Sequence, residues 1–253
     1  MFWSKKNKIN NTLKLNSHGR KLVIGDIHGC IKTFKALLNK VNFQKSDNLF
    51  LIGDYVDRGP DSKGVIDYII LLIENDYNIF PLMGNHEDDL LTLHKYNKPS
   101  LFHEYSKTNG SNNLISNDFK IDQKYIDFFA SLPLYYELKS FLIVHAGFNF
   151  KSNNPFSNKD SMLWIRDFEY DKNKTNGKTI IHGHVPTELN EIENSIKNKS
   201  KIICLDNGCV FATKKFDEFG SLLCLDLNNY QLYIQSNIDF NKSVGIVLFA
   251  IIA

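Results

Sequence analysis

The sequence predicts an α/β protein whose sheets are partly parallel. Three observations carry that prediction. Short apolar runs alternate with longer amphipathic ones, several of the runs lead at once into glycine-centred turns, and the stretch from Lys201 to Ile238 reads as strands and turns with little helix.

In chain order, Lys21–Ile24, Leu49–Ile52, Ile79–Met83, Phe141–Val144, Thr179–Ile181 and Lys201–Leu205 are short and rich in Ile, Leu, Val and Phe, as strands buried on both faces are. Ile31–Val41 comes after the first of them, Ser62–Glu74 after the second and Asp88–Tyr96 after the third, each with helical apolar spacing. Strand then helix, repeated, is the signature of parallel pairing with crossover helices. Asn and Gly cluster at Lys107–Asn117 and Asp171–Lys178, which predicts two surface loops. No repeat or long linker divides the chain. It therefore reads as one catalytic-size domain over 21–240, preceded by a Lys/Asn-rich flexible tail over 1–20 and succeeded by an apolar segment over 241–253.

Composition excludes several classes. Thirty basic against 28 acidic residues leave a net charge of +2, so no strong positive field argues for nucleic acid as a partner. The four cysteines include no CxxC pair and are too few for a disulfide scaffold in 253 residues, which points to a reducing, cytoplasmic setting. The N-terminal stretch has charge but no continuous apolar core and is not read as a secretory signal. Val244–Ala253 is almost wholly apolar but about half the length of a membrane helix. It is expected as a buried strand, with a hydrophobic anchor or docking tail as the alternative.

The chemistry lies in the turn at the end of each strand. Gly25-Asp26-Ile27-His28-Gly29 comes after the first and Gly53-Asp54-Tyr55-Val56-Asp57-Arg58-Gly59 after the second. Gly84-Asn85-His86-Glu87 comes after the third, His145-Ala146-Gly147 after the fourth and His182-Gly183-His184 after the fifth. The carboxyl ends of parallel strands form the rim on which α/β proteins place their sites. Five ends would therefore deliver Asp, His and Asn side chains to one place. Asp26 and His28, two apart, are expected on one face of an extended segment. Any one of these pieces alone is an ordinary turn or core histidine; the five in order are not. Asp/His/Asn donors without thiolate suit manganese, iron or zinc, and a carboxylate shared by two ions suits phosphate-ester hydrolysis.

In its GDIHG, GDYVDRGP and GNHE motifs the chain resembles the calcineurin-like metallophosphoesterase superfamily, and within it the phosphoprotein phosphatase family of bacterial serine/threonine type. The match runs from about Lys21 to Asp226. Leu163-Trp164-Ile165-Arg166 resembles that family's Trp-x-Arg segment, and Leu205-Asp206-Asn207-Gly208-Cys209 its late Asp-Thr-Gly segment, with Asn207 in place of Thr. The resemblance implies a metallo-dependent phosphatase fold, a two-sheet β sandwich flanked by helices with the metal site at the strand C-terminal ends.

It also implies the roles. Asp26 and His28 hold a first metal, Asp54 bridges both, and Asn85, His145 and His184 hold the second. Arg58 and Arg166 grip the phosphate, His86 is the general acid and Asp57 its partner. The last histidine of the superfamily's Gly-His-x-His motif is replaced by Pro186, leaving the first metal fewer protein ligands. Two divalent ions are implied, manganese first, with iron or zinc as alternatives. The reaction implied is direct attack on phosphorus by a metal-bridging hydroxide. The expected substrate is a phosphorylated protein or peptide, with no membrane partner apart from the uncertain C-terminal segment. The alternative is symmetrical hydrolysis of diadenosine tetraphosphate, whose enzymes commonly carry Ala where this chain has Asp57. A non-catalytic interaction protein is the third reading, and no eroded ligand supports it. Cys30, just after the first motif, is expected to be a small buried residue at a helix start.

Overall fold

In a computed structural model, residues 13–110, 113–116, 118–212 and 218–240 are described. The expected strand at 244–253 and the first twelve residues of the expected tail lie outside them.

Each early apolar run becomes a strand and each amphipathic run a helix on its outer side. β1 (Lys21–Ile24), α1 (Ile31–Lys40), β2 (Asn48–Leu51), α2 (Ser62–Glu74), β3 (Asn78–Pro81) and α3 (Asn85–Tyr96) come in order. The middle of the chain forms α4 (Pro99–Asn109), α5 (Gln123–Ser131), β4 (Tyr135–Glu137), β5 (Phe141–Val144) and α6 (Lys159–Trp164). The last part forms β6 (Thr179–His182), α7 (Leu189–Lys197), β7 (Ile202–Cys204), β8 (Ser221–Asp226) and β9 (Gln231–Ser236).

The strands make two sheets, in the orders β3-β2-β1-β8-β9 and β4-β5-β6-β7. β1, β2 and β3 run parallel, as do β5, β6 and β7, while β8, β9 and β4 pair antiparallel with their neighbours. The expected antiparallel end of the chain is therefore the β8–β9 hairpin; β7 joins a parallel set.

Strand alternation sorts the core into layers. Val23, Phe50, Leu223 and Leu225 of the first sheet meet Phe141, Ile143, Ile181 and Ile203 of the second, filling the space between the sheets. Leu22, Ile24, Leu49 and Leu51 point the other way and receive Phe34, Leu37, Val65, Ile66 and Ile69 from α1 and α2. On the far side of the second sheet, Leu142, Val144 and Ile180 pack with Phe148 and Met162. This is the expected two-sheet sandwich with helices outside it. Both parallel sets end at one edge, where an ideal Cβ on Gly25 would lie 2.2 Å from the Leu205 carbonyl oxygen.

Some boundaries differ from the sequence reading. Lys107–Asn109, placed in a loop, belong to α4, which begins with Pro99 in its first turn, where a missing N–H costs nothing. α3 begins at Asn85 rather than Asp88, which puts Asn85 and His86 in its first turn. Residues 13–20, placed in the flexible tail, lie against the sandwich. Asn16 exchanges hydrogen bonds with the Asn48 side chain at 2.7 and 3.0 Å, and Arg20 pairs with Asp47 at 2.6 Å. Among the described residues no helix is long and apolar enough to cross a membrane.

Candidate active site

The strand-end turns converge. Asp26 and His28 lie just past β1, Asp54, Asp57 and Arg58 past β2, His145 past β5 and His184 past β6, while Asn85 and His86 open α3. All of these side chains are buried except Arg58. The turns are tight enough to force non-glycine residues into the left-handed region. φ is 45° at His28, 52° at Asp54, 69° at Asp57, 64° at Arg58 and 70° at His184. Such conformations cost of order 1–3 kcal/mol each and concentrate where function requires them. The segment after β1 is thus not extended through His28 as expected; it turns there. Gly84 is required by close approach, since a Cβ would meet Asp54 Oδ1 at 2.2 Å.

Asp54 is the centre. Its Oδ2 lies 3.5 Å from His28 Nε2 and 3.9 Å from His86 Nε2, and its Oδ1 lies 3.5 Å from His145 Nε2. Two groups of possible ligand atoms share it: His28, Asp54 and His86 on one side, and Asp54, His145 and His184 on the other. Asn85 Oδ1 sits within the second, 2.9 Å from His145 Nε2 and 3.0 Å from His184 Nδ1. Asp26 is held by the backbone beside His184, its Oδ2 accepting the His184 N–H at 3.1 Å.

Hydrogen bonding sets the tautomers. His28 Nδ1 donates to the Val56 carbonyl at 2.8 Å, and Arg58 Nη1, which can only donate, sits 2.9 Å from His28 Nε2. His145 Nδ1 donates to the Ile52 carbonyl at 2.9 Å. Both Nε2 atoms then present lone pairs to the site. His145 Nε2, Asn85 Oδ1 and Asp54 Oδ1 consequently face one another as acceptors. Three buried side-chain atoms of the described residues have no hydrogen-bond partner: Asp26 Oδ1, Asp57 Oδ1 and His184 Nε2. Buried acceptors without donors are what a cation would satisfy, so the residues fit divalent metals, and two of the three orphans are expected ligands.

Electrostatics agree. Burial lowers His28 well below the ordinary histidine value, helped by the Arg58 charge, and lowers His145 too. Burial, with the neighbouring His145 ring acting in the same direction, holds His184 down to about 3. These rings are neutral, the form that binds metal. Burial opposes ionisation of Asp54, but the neighbouring His145, His86 and His28 side chains outweigh it and hold the carboxyl below the usual range. Burial, joined by the charges of Asp206 and Asp54, pushes Asp26 well above it.

His86 is different. Its Nδ1 lies 2.5 Å from Asp57 Oδ2, which also accepts the Tyr105 hydroxyl. Burial works against the charged ring, but Asp54 and the Asp57 hydrogen bond prevail and raise its pKa. With Nδ1–H given to Asp57, the ring's second nitrogen faces Asp54.

The predicted residues are thus brought together, with Arg166 at the margin. It is exposed, on the segment leaving α6, and close enough for its charge to bear on His184. Of the two fifth-motif histidines, His184 faces Asn85, whereas His182 lies 5.4 Å from the Phe168 ring with Nδ1 on the Gly183 carbonyl. Cys30 is buried at the start of α1, as expected.

Sequence reasoning gave no role to three residues, two of which it named only as members of motifs. Glu87 is fully buried and accepts the backbone N–H groups of Asp54 (2.9 Å), Tyr55 (2.8 Å), Val56 (3.3 Å) and Gly84 (3.0 Å), fixing the Asp54 turn against α3. Its place three residues after Gly84 is a capping-box signal that could have found it. Asp206 is buried behind Asp26, with Oδ1 on the Gly208 N–H at 2.7 Å, and burial pushes it up to about 6. Tyr105 has no sequence signal; only α4 brings it to Asp57.

The calcineurin-like phosphoesterase family model matches residues 19–217, most of the chain. The chain belongs to the calcineurin-like phosphoesterases. As a member of that family it is a metal-dependent phosphoesterase, and the two donor groups that share Asp54 could hold its divalent metals.

Over 225 residues it is 28% identical to a bis(5′-nucleosyl)-tetraphosphatase PrpE, asymmetrical, from Oceanobacillus iheyensis, covering 76% of this chain and 85% of that protein. A symmetrical bis(5′-nucleosyl)-tetraphosphatase of Wigglesworthia glossinidia brevipalpis is 47% identical, but over 73 residues, 28% of this chain and 26% of that one. A solved structure described as a "putative diadenosine tetraphosphatase" superposes with a TM-score of 0.63 at 24% identity, over 87% of this phosphoesterase and 94% of that chain, a likeness of fold.

Proposed function

We propose that this phosphoesterase hydrolyses dinucleoside tetraphosphates at the Asp54 centre, with manganese as the working metal. The carrying observation is the similarity to a tetraphosphatase over 76% of the chain, with Asp26, His28, Asp54, Asn85, His145 and His184 gathered at one strand-end cluster. The relative matched over 85% of its length favours asymmetrical cleavage over the symmetrical cleavage that the sequence reading gave as its alternative. Divalent cations held there supply Lewis acidity to the phosphoryl oxygens.

The chain's own residues do the rest. Arg58 and Arg166 supply guanidinium donors to the equatorial oxygens. The first turn of α3 aims the positive end of its dipole at the same place. Glu87 locks the Asp54 turn so that the donors need no rearrangement. His86, oriented by Asp57 and Tyr105, holds a proton on the nitrogen facing the site.

The serine/threonine protein phosphatase reading remains second, and the His86–Asp57 pair favours it. A serine alkoxide is a strong base and needs a proton as it leaves, whereas a nucleoside polyphosphate leaves as a stable anion. Parallel rates on diadenosine tetraphosphate and a phosphoserine peptide, with added manganese, test the two. A higher kcat/KM on the dinucleotide, with ATP and AMP as products, is expected. Two ADP would refute the asymmetrical cleavage, and preference for the peptide would overturn the proposal.

A further inference from the structure

In the Leu163-Trp164-Ile165-Arg166 segment the mechanism uses Arg166 alone. Met162 and Leu163 are buried and anchor α6, whereas Trp164 at its last position is 45% exposed. After it the chain becomes extended, with Ile165 at φ −64° and ψ 132°. Ile165 turns inward, its Cγ2 lying 2.9 Å from where a Cβ on Gly147 would be. Trp164 turns elsewhere: its ring stands edge-on to His184, at 84°, with centroids 6.1 Å apart. The charge of Arg166, two residues on, also reaches His184. A large flat ring left nearly half in water gives up burial that a tryptophan ordinarily gains. Here it does so beside the metal-ligand cluster and a guanidinium. A half-exposed aromatic ring next to a guanidinium is an arrangement on which nucleobases of a phosphate ligand can stack.

We propose that Trp164 is a specificity-determining residue that stacks on a nucleobase of the substrate while the adjoining phosphates lie at the Asp54 centre. This rests on the nucleotide reading above. The ring selects for a base without reading its identity, because every base has a π face. An apolar side chain of a phosphopeptide on the same ring is the competing occupant.

The test compares AMP with ribose 5-phosphate, which share the phosphate and ribose and differ in the base. Binding to the manganese-loaded full chain is measured by calorimetry. We expect AMP to bind at least about tenfold more tightly, Trp164→Ala to reduce that ratio to about one, and Trp164→Phe to retain most of it. Thermal unfolding of each variant checks that the fold is kept. The chain has two tryptophans, so in a Trp3→Phe background AMP should quench the remaining emission and ribose 5-phosphate should not.

Equal binding of the two ligands by the unsubstituted chain, binding of neither, or a ratio unchanged in Trp164→Ala would overturn the proposal. Turnover does not enter the measurement. An intact ratio without dinucleotide hydrolysis would strike the reaction and leave the stacking role. Hydrolysis with a ratio of one would strike the stacking role alone.

Discussion

Replacing His86 with Asn tests the proton donor most directly. The substitution keeps a polar side chain of similar reach but cannot hold a transferable proton. In the structure the ring is buried, its Nδ1 is 2.5 Å from Asp57 Oδ2, and Asp54 and Asp57 together raise its pKa above the ordinary histidine value. The raised pKa favours the protonated ring, which presents Nε2–H to the site, 3.9 Å from Asp54 Oδ2. A positioned general acid contributes about 10²–10⁴ in rate, or roughly 3–5 kcal/mol of barrier.

That full loss is expected where the leaving group is a serine alkoxide. With p-nitrophenyl phosphate or diadenosine tetraphosphate, whose leaving groups are stable anions, the loss should stay within about tenfold. The assay is kcat/KM for all three substrates at fixed pH and saturating manganese, alongside bound-metal analysis. Asp57→Asn should show the same bias more weakly, since it orients the ring rather than giving the proton. A His86→Asn loss equal for every substrate would refute the acid role. Loss of a bound metal equivalent would instead make His86 a ligand, completing the group it forms with His28 and Asp54.

Asp54→Asn should reduce activity more than His28→Ala or His145→Ala alone, because both donor groups share its carboxylate; equal, mild losses under saturating manganese would contradict bridging. His184→Ala should remove bound metal and His182→Ala should not, as read by metal content after gel filtration, and the reverse would show the ligand assignment to be wrong. Away from the site, Asp47 accepts Arg20 Nε at 2.9 Å, Arg20 Nη2 at 2.6 Å and the Gln44 N–H at 2.9 Å. Burial opposes its ionisation, but these bonds win and lower its pKa. A depressed carboxylate gives stability that is present above its unfolded pKa of about 3.9 and lost as pH falls through the folded value. Asp47→Asn should therefore cost about 1.5–3 kcal/mol in urea unfolding at pH 7, with the difference from the unsubstituted protein shrinking below about pH 4. A difference that does not change with pH would refute the charge's part in it.

The sequence by itself determined what is local. A strand, a glycine turn and a helix within 30 residues declare themselves by apolar period and by residues that permit the turn, so β1 to α3 and the donor set at their junctions were legible. So was the partly parallel architecture. What depends on distant segments was not. β8 pairs with β1 across some 200 residues, and no period in either strand names the partner. The Tyr105 hydroxyl reaches Asp57 because α4 packs across the site, and α4 itself is a largely polar helix that the sequence read in part as loop. Even within a motif, spacing misjudged geometry: His28 turns left-handed rather than continuing a strand, since the Asp54 carbonyl takes the His28 N–H at 2.8 Å from the neighbouring turn. The resemblance had already chosen His184 over His182, but the exposure of Trp164 was decided by which neighbours the two sheets bring to one edge. Side-chain identity is written in the chain, but which buried acceptor is left without a donor is fixed only when the strands are assembled.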